Sequence, residues 1–318
     1  MISVGPSVRA VAPFRVALLL GLLLSGAGLV AAVALSRSVL APLASACLRA
    51  CSSDHLPIFV ALGCAGLLVA AVGSGLLGGL AVLGRQLAVT GRLVRQVESL
   101  SARPPARVAG LASRLGIDRR LTYVRDPAAY AFCYGFLSPR ICISSGMARR
   151  LSNRELQAVL LHEAFHMRRR DPLKVLLARL VAGALFLLPA ARDLRDRYLL
   201  ERELVADDHV VGQMSARPLA GALLKTCRGA GRRPIHAAAA VGAFDAVGHR
   251  IRHLARPSER PGPLPARRVV ASLAVVALLL AATAGSSVAA ERSLASAGGC
   301  CTSGAVCDLP AAHGRAVR

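Results

Sequence analysis

Three uncharged apolar blocks, at 16–35, 57–84 and 269–290, constrain this 318-residue chain more than any other feature. Each is long enough for a helix across a bilayer, which takes about 20 predominantly apolar residues. Backbone polar groups in hydrocarbon must be satisfied within the segment, so the blocks are read as transmembrane helices. The first has a competing reading as a cleaved signal sequence, because Ala32-Val33-Ala34 resembles a cleavage site. Its apolar run is longer than such a region usually is. In the second block Gly75, Gly78 and Gly79 would let another helix approach closely.

Charge sets the expected sidedness. Segment 85–172 carries sixteen cations against six acids and 191–268 fifteen against eight, whereas 36–56 holds only Arg37 and Arg49 and the tail 291–318 three Arg. The positive-inside rule places 1–15, 85–172 and 191–268 in the cytoplasm and 291–318 outside. Five of nine cysteines, Cys47, Cys51, Cys300, Cys301 and Cys307, then fall outside, where disulfides persist, while Cys133, Cys142 and Cys227 fall inside and stay reduced. The formal charge of +23 does not point to nucleic acid, since no cluster interleaves aromatics with basic residues. Direct nucleic-acid binding is not expected.

Within the cytoplasmic part, Leu151 to Leu156 reads as a helix start: Ser152 as N-cap and Glu155 three residues on make a capping box, with Leu151 and Leu156 as a hydrophobic staple. The helix carries His162-Glu163-Ala164-Phe165-His166 and ends at Asp171-Pro172, where Asp171 can cap the next helix. His162 and His166 are four apart, so one face offers two imidazoles to one ion. Glu163 lies one residue round, beside the metal, as a general base requires. A third ligand is expected downstream. Glu203 and Asp207 share a helical face, with Glu203 on the metal and Asp207 fixing the tautomer of a liganding imidazole, His162. Glu201 is read as a surface charge, and His209, His236, His249 and His253 are assigned no role.

A fourth apolar stretch, 173–188, cannot cross fully, because Glu203 would then lie across the membrane from His162 and His166. About 15 residues out and 15 back close a hairpin instead, leaving 173–188 as a buried or membrane-facing helix beside the site. Upstream, 121–125, 130–136 and 140–144 read as short strands of a small sheet. Its free edge could hold an extended peptide by strand addition or simply cover the helix. Residues 85–108 read as a basic helix broken at Pro104-Pro105, and 228–268 as a basic linker.

With Tyr130 to Ser144, the H-E-A-F-H-M-R-R-R-D run ending at Asp171, and E-L-V-A-D at 203–207, the chain resembles the BlaR/MecR-type membrane metallopeptidases. The resemblance implies a mainly α, multi-pass membrane protein in which 85–268 is a cytoplasmic, gluzincin-like zinc peptidase domain containing a small β-sheet. It makes His162, His166 and Glu203 ligands of Zn2+ and Glu163 the base. It also implies a protein or peptide substrate, with self-cleavage and a winged-helix transcriptional repressor as the family's precedents. Antibiotic sensors of that family carry a penicillin-binding domain after the last span. Only 28 residues follow Ala290, without an S-x-x-K motif, so β-lactam sensing is not expected. Two other readings stand beside this one: an HtpX/Ste24-type quality-control protease, and a membrane signal transducer whose metal is only structural.

Overall fold

The computed structural model describes residues 56–227, 243–256 and 264–281. The first apolar block, the five cysteines expected outside, His236, the tail and the end of the last block lie outside the described residues. Gly73–Val275 belongs to one compact unit, and Gly26–Val72 with Val276–Arg318 to another. Among the described residues the second unit contributes only the helical stretches 56–72 and 276–281; the sheet and the other helices belong to the first.

The second apolar block opens a single 44-residue helix, α1 (Leu56–Ser99). Its stretch Gly66–Ser99 is, among the described residues, the one helix long and apolar enough to cross a membrane by length and composition. The chain then enters a short strand, β1 (Ser101–Ala102), which the sequence did not suggest, and passes Pro104-Pro105 into α2 (Ala106–Arg114). Strands β2 (Leu121–Val124), β3 (Ala131–Tyr134) and β4 (Arg140–Ser144) fall within the runs 121–125, 130–136 and 140–144 read as strands from the sequence. The sheet order is β1-β2-β4-β3, with β2 parallel to β4 and both outer pairs antiparallel. Gly135, at φ 87°, makes the β3–β4 turn; a Cβ there would lie 2.9 Å from the Ser138 carbonyl oxygen.

Successive side chains on these strands serve opposite faces. Tyr123, Ile141, Ile143 and Ala131 pack with Val108 and Leu111 of α2 and with Leu156, Val159 and Leu160 of the following long helix. Val124, Cys142, Phe132 and Tyr134 pack against Leu93, Val94 and Val97 at the end of α1. The sheet is thus covered on both faces, which explains why β4 reads as Ile-Cys-Ile rather than as a polar alternation.

After α3 (Ser145–Arg150), the long helix α4 (Asn153–Arg168) starts with the expected capping box between Ser152 and Glu155. Arg170, at φ 53°, turns the chain in a left-handed conformation into α5 (Asp171–Ala184). Helix α6 (Pro189–Gln213) returns antiparallel, followed by α7 (Ala216–Cys227). The segment expected to be linker is corrected: Ala243–Ala255 forms a helix, α8, because Val247, Ile251 and Leu254 recur at helical spacing. A last helix, α9, covers 266–281.

Helix α5 lies against α1 where the glycines allow it. Cβ atoms at Gly75 and Gly78 would come 2.7 Å from the carbonyl oxygens of Ala184 and Gly183. Arg179 donates to Gln86 Oε1 at 2.8 Å further along the same contact. We predict that Gly78→Ala forces these helices apart and costs about 1–3 kcal/mol. Gly84→Ala, with nothing within 4 Å, is expected to stay within about 1 kcal/mol of the parent. Thermal unfolding of both variants in detergent, followed by circular dichroism, checks the contrast.

Candidate metal centre

Four residues make just over one helical turn, so α4 presents His162 and His166 side by side. Their Nε2 atoms are 3.1 Å apart. Glu203 of α6 closes a triangle, with Oε2 3.2 Å from His162 Nε2 and Oε1 3.6 Å from His166 Nε2. One ligand atom from each residue lies within 4.8 Å of the others. Tetrahedral ligands of an ion bonded at 2.0–2.2 Å sit about 3.4 Å apart, so this triangle fits a single zinc ion.

The back of each ring is also held. His166 Nδ1 donates to Asp171 Oδ2 at 2.7 Å, and His162 Nδ1 lies 3.0 Å from Asp207 Oδ1. Both carboxylates are almost wholly buried, at 1% and 0% exposure. A carboxylate behind the ring fixes the tautomer that turns the Nε2 lone pair towards a metal, and this arrangement favours a metal over a chance cluster. The expected Asp207–His162 pair is therefore present. Asp171, in contrast, is not the helix cap that the sequence suggested: Arg170 occupies that place without a side-chain cap, and Asp171 turns inward to His166.

Arg250 of α8 was not anticipated. Its Nε and Nη2 donate to Asp207 Oδ2 and Oδ1 at 2.8 and 2.7 Å, and Nη1 lies 3.3 Å from Glu203 Oε2. Arg202 donates to the other oxygen of Glu203. Burial alone would push the Glu203 carboxyl up, but the charges of Arg202 and His166 hold it well below the usual carboxylate range. For His162, burial and the Arg250 charge push down, yet hydrogen bonds to Asp207 and Glu203 win and carry it up to about 9.

Glu163 is buried at 9% exposure on the same helix, close enough for its charge to act on Arg250 and on Cys133 of β3. Glu201 instead pairs with Arg197 at 2.8 Å. His209 and His249 sit beside Gln213 and Arg252, and His253 lies 2.7 Å from Asp208; none joins the triangle. The signal for Arg250 was the apolar spacing of its helix, hidden by a basic, Pro-flanked context. The signal for Asp171 was its place just beyond the second histidine.

A family model described as BlaR1 peptidase M56 matches residues 67–254, which include every residue of this centre. A protease HtpX homolog of Caldanaerobacter subterraneus subsp. tengcongensis is 34% identical over 85 residues, 26% of this chain and 28% of that protein. The match thus spans well under a third of that relative's length. No solved structure matches the chain.

Two measurements probe the centre. Asp171→Asn and Arg250→Ala are each expected to weaken zinc binding about 10–100-fold, read by chelator competition. Because His162 stays protonated up to about pH 9, zinc must displace that proton. Affinity should rise about tenfold per pH unit as pH 9 is approached from below, and a flat profile would contradict the assignment.

Proposed function

This chain belongs to the BlaR1 peptidase M56 family, and on that footing we propose that it is a membrane zinc endopeptidase with a regulatory role. The observation that carries the reading is the His162–His166–Glu203 triangle with Glu163 on the same helix. His162, His166 and Glu203 would hold the ion. Zinc, when bound, supplies Lewis acidity towards a peptide carbonyl and acidifies the attacking water. Glu163 takes that water's proton and returns it to the leaving amine. Asp171, Asp207 and Arg250 hold the ligands in place, and keep Glu203 and His162 oriented while substrate enters.

The outer edge of β3 pairs with no other strand among the described residues, and β3 packs against α4 through Ala131 and Cys133. We assign it the role of binding an extended peptide by strand addition, which would lay the peptide along the helix that carries Glu163. The substrate is a cytoplasmic or membrane-proximal protein, with the chain itself and a winged-helix repressor as the candidates the family suggests. The membrane region is multi-pass, with the peptidase domain cytoplasmic and the 291–318 tail outside, as the distribution of arginine supports. The likeness to a protease HtpX homolog favours a second reading, a quality-control protease acting broadly on damaged membrane proteins.

Glu163→Gln is expected to keep its zinc and lose about 10²–10⁴ in cleavage rate, whereas His162→Ala loses the metal. Expressing parent and Glu163→Gln chains in the native host and comparing new N-terminal peptides by mass spectrometry tests the assignment. Peptides confined to one repressor and to the chain itself support regulation, and a broad set supports quality control. Equal cleavage by both chains refutes Glu163 as the base, and a metal without any cleavage leaves the structural-metal reading standing.

A further inference from the structure

The turn joining α5 to α6, residues 185–188, is the end of that hairpin farthest from the metal centre. Pro189 and Glu203 are 14 residues apart on α6, about 21 Å along the helix. At the turn Phe186 and Leu187 are exposed, at 37% and 41%. Two contacts fix the level of this end. The Ala190 N–H donates to Ser272 Oγ at 3.0 Å, and one turn further along α6 Asp193 pairs with Arg268.

Arg268 is the last charge before the uncharged run 269–290. Its described part, to residue 281, is helical and carries no charge beyond Arg268, so Arg268 marks the polar end of α9. On α1 the contact with Ala184 and Gly183 is made at Gly75 and Gly78, still inside an uncharged run that ends at Arg85. Leu76, Leu77 and Leu80 of α1 and Val270 and Leu273 of α9 are exposed around the turn. Such a collar of bare aliphatic side chains would be costly in water.

We infer that the 185–188 turn is a foot set into the cytoplasmic leaflet, with Phe186 and Leu187 among the acyl chains just beneath the headgroups and Arg192 and Arg268 against the lipid phosphates. The depth follows from α6: Pro189 lies four residues, about 6 Å, beyond Asp193 and its Arg268 partner. Interfacial helices bury their apolar faces about 5–10 Å into this boundary, so the foot is of ordinary depth. Subtracting it from about 21 Å leaves the metal centre about 15 Å on the cytoplasmic side of the arginine level. The site is then one for peptide bonds outside the bilayer, in segments at least about four or five extended residues from it. The substrate class named above is narrowed accordingly, and bonds within transmembrane helices are excluded from it.

The inference rests on the reading that α1 and α9 cross a bilayer, so the experiment tests that part separately. The chain has no Trp, and Leu187→Trp, Val270→Trp and Leu137→Trp each create a single fluorophore. The full-length chains are placed in phosphatidylcholine–phosphatidylglycerol vesicles whose lipids carry bromine either near the headgroup or near the acyl methyl ends. Leu187→Trp should lose most of its emission to shallow bromine and less to deep bromine, and Val270→Trp should also be quenched. Leu137→Trp, on the β3–β4 turn and 81% exposed, should not respond. Zinc content equal to the parent's shows that a variant is folded, and Phe186→Trp replaces Leu187→Trp if that one fails.

Quenching at 270 without quenching at 187 overturns the foot but leaves the membrane reading intact. A shielded but unquenched Trp at 187 overturns it too, because a protein surface then covers the turn. Deeper quenching at 187 than at 270 would mean a hairpin plunging into the bilayer, which also defeats the inference. Quenching at neither position overturns the membrane reading itself. None of these outcomes depends on proteolysis, so they leave the catalytic assignment to be judged by Glu163→Gln.

Discussion

A carboxylate on α6 reaches two imidazoles on α4 because the outward and return arms between them are matched in length. From Asp171 to Ala184 the chain runs about 20 Å, and from Pro189 back to Glu203 about 21 Å. A mismatch of one turn would carry Glu203 about 5 Å from the ligand triangle and break it. The hairpin is held in register at both ends. At the far end its carbonyl oxygens lie where only glycine on α1 leaves room. At the near end Arg170 takes up a left-handed conformation that costs a non-glycine residue about 1–2 kcal/mol. The same bend points Asp171 back at His166.

Burying this many ionisable groups is unfavourable unless each has a partner. The centre answers with a continuous chain of hydrogen bonds and ion pairs: Asp171 to His166, His166 to Glu203, Glu203 to His162, His162 to Asp207 and Asp207 to Arg250. Four separate helices, α4, α5, α6 and α8, supply the members. Removing one leaves a buried charge unmatched, so loss of a residue outside the His162–His166–Glu203 triangle is felt within it. Arg250 illustrates this most clearly, since it reaches Glu203 and Asp207 together from a helix outside the α4–α6 core.

Much of this was legible in the sequence. The capping box, the i,i+4 histidines and the spacing of Glu203 and Asp207 are local patterns, and local patterns survive without knowledge of the fold. The three longer strands were legible for the same reason, because their short apolar runs match two covered faces. What was not legible depended on tertiary contact. Asp171 looks like a helix cap until the turn at Arg170 is known, and β1 is two residues long, too short to leave a periodic signal. Helix α8 was masked by the basic, Pro-containing sequence around it, in which Arg250 looks like one more surface cation.

Helix α1 has a mechanical consequence. Its stretch from Gly73 to Ser99 lies in the same compact unit as the sheet and α5. Its Ser99 end is packed into the floor of the sheet through Leu93, Val94 and Val97, and its midpoint is locked to α5 by the glycine contact and the Arg179–Gln86 bond. Within this unit α1 therefore touches two elements at once: the sheet to which β3 belongs, and the helix whose first residue holds His166. A side chain larger than hydrogen in the glycine seam would displace the helix that supplies Asp171 to His166.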